Sequence, residues 1–262
     1  MRRYRNRIVV WLNYKGALRI AIGAFIIIAA AALIVGDLPS TRTMSTWSLP
    51  LSGKTVAIDA GHGGIDGGAV SKQGDIEKDL NLAIAFYLRD YLQQAGAIVI
   101  MTREGDYDLA GKDTKATARR KTEDLVKRVE LIKQAKPDIV ISVHMNSIPS
   151  PKWFGAQTFY YPSNTNNGQI AALIQDEIRS KLENTSRIAS VIKNEVYLMK
   201  QITDVPLALV EVGFLSNPDE ARRLSDGNYQ RSIAAAIYQG ILRFSAGEKI
   251  GTVTPAAPVP AP

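Results

Sequence analysis

The sequence predicts an α/β fold, in which one domain has a mainly parallel or mixed central sheet of about six strands flanked by helices. Short apolar runs rich in Val and Ile alternate along the chain with longer stretches of helical spacing. Glycine or proline separates many of these segments, which is typical of strand–helix units. An N-terminal transmembrane or signal segment precedes this domain, which we expect to cover residues 54–246.

Six apolar or β-branched runs are predicted as strands. They cover residues 56–58, 97–101, 138–144, 156–161, 196–199 and 206–214. Leucine or isoleucine recurs every fourth residue from Leu80 to Leu92, which predicts a helix that ends at Gly96. Further helical patterns cover residues 118–135, 168–182 and 218–245.

The basic excess of the chain lies at its N-terminus. The net charge is +7, and six Arg or Lys residues precede the first acidic residue, so the rest of the chain carries about +1. The predicted folded domain therefore lacks the basic excess that is typical of a nucleic-acid-binding domain. We therefore expect no nucleic-acid partner.

Residues 20–36 form an uncharged apolar run that is barely long enough to cross a bilayer. Basic residues within 1–19 precede it and Asp37 follows, so the positive-inside rule keeps the N-terminus in the cytoplasm and exports the rest. An obvious small-x-small cleavage site is absent, and we expect a membrane anchor rather than a cleaved signal peptide or a buried helix. Residues 37–53 are predicted as a linker, and the Pro/Ala-rich residues 247–262 as a disordered tail.

The two histidines of the chain both lie at the ends of predicted strands. His62 follows the first strand, in a loop that contains five glycines, and His144 ends the strand at 138–144. Ligands of open α/β sheets bind at the carboxyl ends of the strands. We therefore expect both imidazoles to share one site, although each histidine could instead cap its strand by hydrogen bonding.

Two glutamates are expected at the same edge of the sheet. Glu77 lies in the first turn of the helix after the His62 loop, where a carboxylate also suits the helix dipole. Glu211 interrupts an apolar strand, and a carboxylate there is costly unless it is paired, protonated or catalytic. Asp79 competes with Glu77 for the site, but Glu77 lies nearer the loop.

Two imidazoles and one carboxylate are the ligand set of a catalytic zinc, which keeps its fourth position for water. We expect His62, Glu77 and His144 to bind Zn²⁺, and Glu211 to carry a proton from the zinc-bound water to a leaving amine. The chain has no cysteine, so His and carboxylate are the available ligands. The spacing of these residues is not a helical H-E-x-x-H box and is a weak signal alone.

Four sequence blocks resemble the zinc-dependent N-acetylmuramoyl-L-alanine amidases of the amidase-3 family. The blocks are G-H-G-G-x-D-G-G-A, E-K-D-L-N-L-A, S-V-H-M-N and L-V-E-V-G-F-L-S-N-P, and the likeness covers residues 54–245. The resemblance implies a hydrolase of the amide bond between the lactyl group of N-acetylmuramic acid and L-alanine in peptidoglycan. It also implies that His62, Glu77 and His144 bind zinc and that Glu211 is catalytic.

Three further segments, together with the N-terminal apolar segment, resemble the germination-specific amidases of spore-forming bacteria. They are T-W-S-L-P-L-S-G-K, V-I-M-T-R-E-x-D-x-D-L-A and I-P-S-x-K-W. The resemblance implies an exported enzyme that acts on glycan strands with stem peptides and contributes to muramic-δ-lactam in the spore cortex, where a deacetylase acts after it. An activator protein is a further candidate partner.

Other functions are compatible with some of these residues. A zinc metallopeptidase that cuts a bond within the stem peptide would use the same chemistry. A nucleotide or phosphate binder is disfavoured because the loop matches neither G-x-G-x-x-G nor G-K-[ST], and an inactive wall-binding module because all four reactive positions are occupied. Arg103 and Arg128 are candidates to contact substrate carboxylates, with solvated surface positions as the default expectation.

Overall fold

The structure, a computed structural model, describes residues 13–36, 49–193 and 196–250, with only the backbone of residues 30–36. The chain divides into two units, Met1–Trp47 and Ser48–Pro262. In the first unit, helix α1 covers Tyr14–Gly36. No helix in the described part of the chain is both long and apolar enough to cross a membrane, so the transmembrane or signal segment stays a prediction. Most of the predicted basic stretch, linker and tail lies outside the described residues.

A six-stranded mixed sheet forms the centre of the second unit. Its strands are β1 Thr55–Ala60, β2 Ile98–Met101, β3 Ile139–Asn146, β4 Gln157–Tyr160, β5 Ser190–Val191 and β6 Leu207–Phe214. They lie in the order β2-β1-β3-β6-β4-β5. Within this sheet only the β4–β6 pair is antiparallel, and the other four pairs are parallel. The predicted α/β class with a mainly parallel sheet is confirmed.

Helices cover both faces of the sheet. They are α2 Glu77–Gln94, α3 Thr117–Ala135, α4 Asn167–Leu182, α5 Tyr197–Gln201, α6 Pro218–Leu224 and α7 Gly227–Ser245. Alternate residues of a strand point to opposite faces. Val56 and Ile58 therefore join the core beneath α2, α4 and α7, whereas Ala57 packs in the second core with Val129 of α3 and Leu198 of α5.

The same alternation places two site residues on one face of the sheet. Val140 of β3 and Leu209 of β6 lie in the core beneath α3 and α5. His144 and Glu211 follow them by an even number of residues, and the register pairs these two residues directly. Both side chains therefore project to the same side at the carboxyl ends of adjacent parallel strands.

The prediction of a strand at residues 196–199 is wrong, because this run forms helix α5. Leu198, Met199 and Ile202 are all buried in the core with α3. A helix places residues at i, i+1 and i+4 on one side, whereas a strand would turn Leu198 and Met199 to opposite faces. The sixth strand is instead the two-residue β5, which is too short to carry a sequence pattern.

Packing of the second unit begins before Lys54. The side chain of Leu51 is fully buried, and its N–H donates to the carbonyl of Ala95 at 2.9 Å. Gly96, with φ of 90°, lies so close to Leu49 that an added Cβ would be 2.7 Å from the Leu49 Cβ. Residues 49–51 thus close over the end of α2.

Candidate metal centre

His62 lies two residues after the end of β1, where the chain turns into the glycine-rich loop. Its φ of 63° is in the left-handed region, in which histidine is more frequent than most residues. Its Nδ1 lies 2.9 Å from Oδ2 of Asp66, and its Nε2 lies 3.2 Å from Oε1 of Glu77. A proton on Nδ1, donated to Asp66, leaves the Nε2 lone pair free to bind a metal.

Glu77 is the first residue of α2, and its buried carboxylate is held by neighbouring N–H groups. The N–H of Ala69 donates to Oε2 at 2.9 Å, and the N–H of Met145 donates to Oε1 at 3.0 Å. Burial alone would raise the pKa of Glu77, but hydrogen bonds and charge interactions with His144 and His62 outweigh it and lower the pKa. The carboxylate is thus ionised and fixed in position.

His144, near the end of β3, completes a cluster of three possible ligands. Its Nδ1 lies 3.2 Å from Oε1 of Glu77, and its ring centroid lies 5.0 Å from that of His62 at an interplanar angle of 74°. One donor atom from each of the three residues lies within 4.8 Å of the others. Asp79, the competing candidate, is exposed and is not part of this cluster.

The donor atoms of the cluster suit a zinc ion. Zinc binds nitrogen and oxygen at about 2.0–2.1 Å, so neighbouring ligand atoms of a tetrahedral site lie about 3.3 Å apart. The two distances from Glu77 Oε1 to the histidine nitrogens are both 3.2 Å. Two neutral imidazoles and one carboxylate are also a known catalytic zinc set.

Two glycines, which have no Cβ, leave space for the side chains of His62, Glu77 and His144. An added Cβ at Gly61 would lie 2.3 Å from Cε1 of His144, and one at Gly68 would lie 2.6 Å from Oε2 of Glu77. Gly68 also has φ of 68°, which side chains disfavour. The glycines of this loop therefore have a steric role in addition to allowing the turn.

Glu211 lies beside the cluster as the register partner of His144. Its Oε2 is buried and has no hydrogen-bond partner among the described residues. Burial raises the pKa of Glu211 to about 7, and the negative charge of Glu77 adds to this effect while the histidines oppose it. A carboxyl group with a pKa near neutral can both accept and return a proton.

The default expectation that Arg103 and Arg128 are solvated surface residues is wrong, because each is 1% exposed. The Arg103 guanidinium donates to the carbonyls of Ala60 and Gly61 at 2.9 and 3.0 Å. Arg128 donates to the carbonyls of Ala60 and His62. The two arginines therefore fix three consecutive carbonyls at the start of the glycine-rich loop and do not face the substrate.

Sequence reasoning missed the carboxylates that hold Arg128. Its Nη1 lies 2.8 Å from Oδ1 of Asp59, and its Nε lies 2.7 Å from Oδ2 of Asp124. Burial alone would raise the pKa of Asp59, but Arg128, His144 and a hydrogen bond from Ser142 lower it to about 2. The available signal was an aspartate within the apolar strand β1, which, like Glu211, requires a partner.

Known proteins are similar to this chain in sequence and in fold. The family model described as N-acetylmuramoyl-L-alanine amidase matches residues 56–243. The germination-specific N-acetylmuramoyl-L-alanine amidase of Bacillus subtilis (strain 168) is 55% identical over 198 residues, which cover 76% of this chain and 82% of that protein.

Two solved structures are also similar. The CwlD amidase from Clostridioides difficile, in complex with the GerS lipoprotein, has a TM-score of 0.72 and 37% identity over 74% of this chain and 100% of that chain. The N-acetylmuramoyl-L-alanine amidase AmiC2 of Nostoc punctiforme has a TM-score of 0.63 and 28% identity over 74% of this chain and 98% of that chain. The chain therefore belongs to the N-acetylmuramoyl-L-alanine amidase family.

Proposed function

We propose that this amidase works with a zinc ion bound by His62, Glu77 and His144, that Glu211 transfers the proton, and that its substrate is spore-cortex peptidoglycan. The bond that it hydrolyses joins the lactyl group of N-acetylmuramic acid to L-alanine. One observation carries the catalytic part of the proposal. Three zinc-type donor atoms lie within 4.8 Å of one another, beside a glutamate that has one buried oxygen without a hydrogen-bond partner in the described part of the chain.

Each residue of the site has a distinct part in the reaction. Zn²⁺, when bound, supplies Lewis acidity that polarises a carbonyl oxygen and lowers the pKa of water. Glu211 accepts a proton as the water oxygen attacks the amide carbon, and it returns that proton to the nitrogen as the C–N bond breaks. The products are a lactyl carboxylate and L-alanine with a free amino group.

Hydrogen bonds with the backbone and with the Asp66 side chain keep the ligands in position during this step. The N–H groups of Ala69 and Met145 hold the Glu77 carboxylate, and Asp66 orients the His62 ring. Ligands that are fixed in advance need no reorganisation when charge develops on the attacked carbonyl. The hydrogen bonds from Arg103 and Arg128 to the loop carbonyls also keep the loop in position.

The spore role in this proposal rests on the similarity to the germination-specific enzyme of Bacillus subtilis. Removal of the stem peptide leaves a free lactyl carboxylate on muramic acid. An intramolecular lactam with the sugar nitrogen requires that the acetyl group also be removed, so a deacetylase must cooperate. We further propose that the enzyme acts outside the cytoplasmic membrane, held by its N-terminal segment.

An activator protein is also part of the proposal. The similar amidase from Clostridioides difficile was solved in complex with the GerS lipoprotein. We expect the present chain to take a lipoprotein partner of the same kind. A purified candidate lipoprotein that changes neither zinc affinity nor the rate of hydrolysis would contradict this.

Mass spectrometry of muropeptides released from cortex peptidoglycan by the purified protein tests the proposed reaction. We expect peptides with a free N-terminal L-alanine, at least about 100-fold slower release by the Glu211→Gln variant, and no release by chelated protein. Release of fragments cut within the stem peptide would instead support the metallopeptidase alternative. Release that a chelator does not affect would exclude the metal-dependent reaction.

A further inference from the structure

A groove lined by both polar and apolar residues runs from Glu211 towards the β5 edge of the sheet. It encloses a cavity of about 480 Å³, and its lining includes Asn146, Gln157, Ser190 and Lys193 as well as Glu211. Apart from Glu211 and Lys193, these polar side chains carry no formal charge. The groove therefore has a carboxyl group at one end and an ammonium group in its lining.

The sheet determines the length of this groove. Glu211 of β6 pairs with Gln157 of β4, and Phe159 of β4 pairs with Ser190 of β5. Neighbouring strands lie about 4.8 Å apart, so β5 is about 14 Å from β3, which carries His144. An extended peptide advances about 3.3–3.6 Å per residue and covers this distance in about four residues.

Lys193 follows β5 and has an exposed side chain. Its ammonium group forms no hydrogen bond or ion pair with any residue that the structure describes, although it lines the same cavity as Glu211. A cation that has no partner among the described residues and lies at the edge of a substrate-sized groove is available to bind an anionic group. Glu211 disfavours such a group at its own end of the groove.

We propose that Lys193 is a specificity-determining residue that binds a carboxylate of the stem peptide. The inference rests on the proposed function, because it places the scissile L-alanine amide beside Glu211 and runs the peptide along the groove towards β5. A stem peptide that is not cross-linked through its C-terminus has at least one carboxylate downstream of L-alanine. The ammonium of Lys193 binds it as a point charge, without a fixed hydrogen-bond geometry.

Steady-state kinetics with two synthetic N-acetylmuramoyl peptides test this inference. One substrate has free carboxylates on its peptide, and in the other these groups are amidated. For the Lys193→Gln variant we expect KM for the free-carboxylate substrate to rise about three- to fivefold with kcat unchanged. We expect no change for the amidated substrate, and Lys193→Arg should keep the KM of the unaltered protein.

A matched control separates this effect from a general change in charge. Lys133, exposed in the last turn of α3, lies outside the groove, and Lys133→Gln removes the same charge. Equal KM values for Lys193→Gln and the unaltered protein, or equal increases on both substrates, would overturn the inference. Failure of the unaltered protein to release N-terminal L-alanine would contradict the proposed function instead, so the two failures are distinguishable.

Discussion

Asp66 contacts His62 Nδ1 with one carboxylate oxygen at 2.9 Å and pairs with Lys121 through the other at 2.8 Å. The first contact selects the imidazole tautomer whose Nε2 lone pair faces Glu77. The second contact holds the aspartate itself in place. Such outer partners of metal-binding histidines affect metal affinity although they never touch the metal.

Replacing Asp66 with alanine is expected to weaken zinc binding about 10- to 100-fold. The His62 ring would lose the acceptor that fixes its tautomer and orientation. Competition with a chromogenic chelator measures the dissociation constant. The control is Asp90→Ala, which removes an exposed carboxylate of α2, and identical zinc affinities for the two variants would contradict this role of Asp66.

The Glu211→Gln variant is expected to bind zinc with unchanged affinity while its kcat falls about 10²- to 10⁴-fold. The amide keeps the size of the side chain but can no longer accept a proton. Glu130→Gln, an exposed change on α3, is the control. Substantial hydrolysis by Glu211→Gln would remove Glu211 from the proton transfer.

Sequence reasoning selected four candidate residues because each lies at a strand or helix end or interrupts an apolar run, and their roles stay a prediction. His62, Glu77 and His144 do come together, with Glu211 beside them. Arg103 and Arg128 were not predictable, because a buried guanidinium looks like a surface one in sequence. The acceptors that compensate for the burial of these guanidinium groups lie up to 69 residues away in the sequence.

The connection between β1 and α2 brings most of the site together. It carries His62 and Asp66, and α2 begins at Glu77. The N–H of Gly61 donates to the carbonyl of Val143, so the loop continues beside β3 after β1 has ended. This close approach requires a residue without a Cβ at position 61.

Gly61→Ala is therefore expected to weaken zinc binding more than about tenfold with little loss of folded structure. The new methyl group would overlap the His144 ring, whose nearest atom is 2.3 Å from the added Cβ. Zinc titration and thermal melting measured together separate the two effects. Gly227→Ala is the control, because its added Cβ meets its nearest atom at 3.6 Å. Normal zinc affinity in Gly61→Ala would contradict the steric role.

At the level of elements, the long apolar strands were predictable, whereas the two-residue strand β5 and the five-residue helix α5 were not. Strands β1, β3 and β6 are buried runs of Val, Ile, Ala and Leu, which is typical of parallel sheets covered on both faces. Short apolar runs do not distinguish a strand from a turn of helix. Helix α5 was misassigned for this reason.

A network of buried charged side chains connects several elements of the second unit beneath the glycine-rich loop. Asp59 of β1 binds Arg128 of α3, and it also accepts hydrogen bonds from Ser142 of β3 and Thr102 after β2. Loss of one partner would leave the other charge buried without compensation. The network therefore couples stability of the domain to the protonation of Asp59.

Stability should depend on pH through Asp59. Its pKa is about 2 in the folded protein against an ordinary 3.8, so its stabilising effect is complete above about pH 5 and is lost as pH falls towards 2. Urea unfolding of the metal-free protein measures the free energy of unfolding. Over this pH range we expect that free energy to fall by about 2 kcal/mol less in the Asp59→Asn variant than in the unaltered protein. Asp90→Asn is the control, and parallel pH profiles for Asp59→Asn and the unaltered protein would contradict the prediction.

The proposed reaction requires one metal ion per chain at the carboxyl edge of the sheet. The most direct test follows hydrolysis of N-acetylmuramoyl-L-alanine by chelated protein as zinc is added back. We expect no hydrolysis at first, then a rate that rises linearly and stops rising at one equivalent of zinc per chain. A chelated protein that hydrolyses the substrate at its full rate would contradict this requirement.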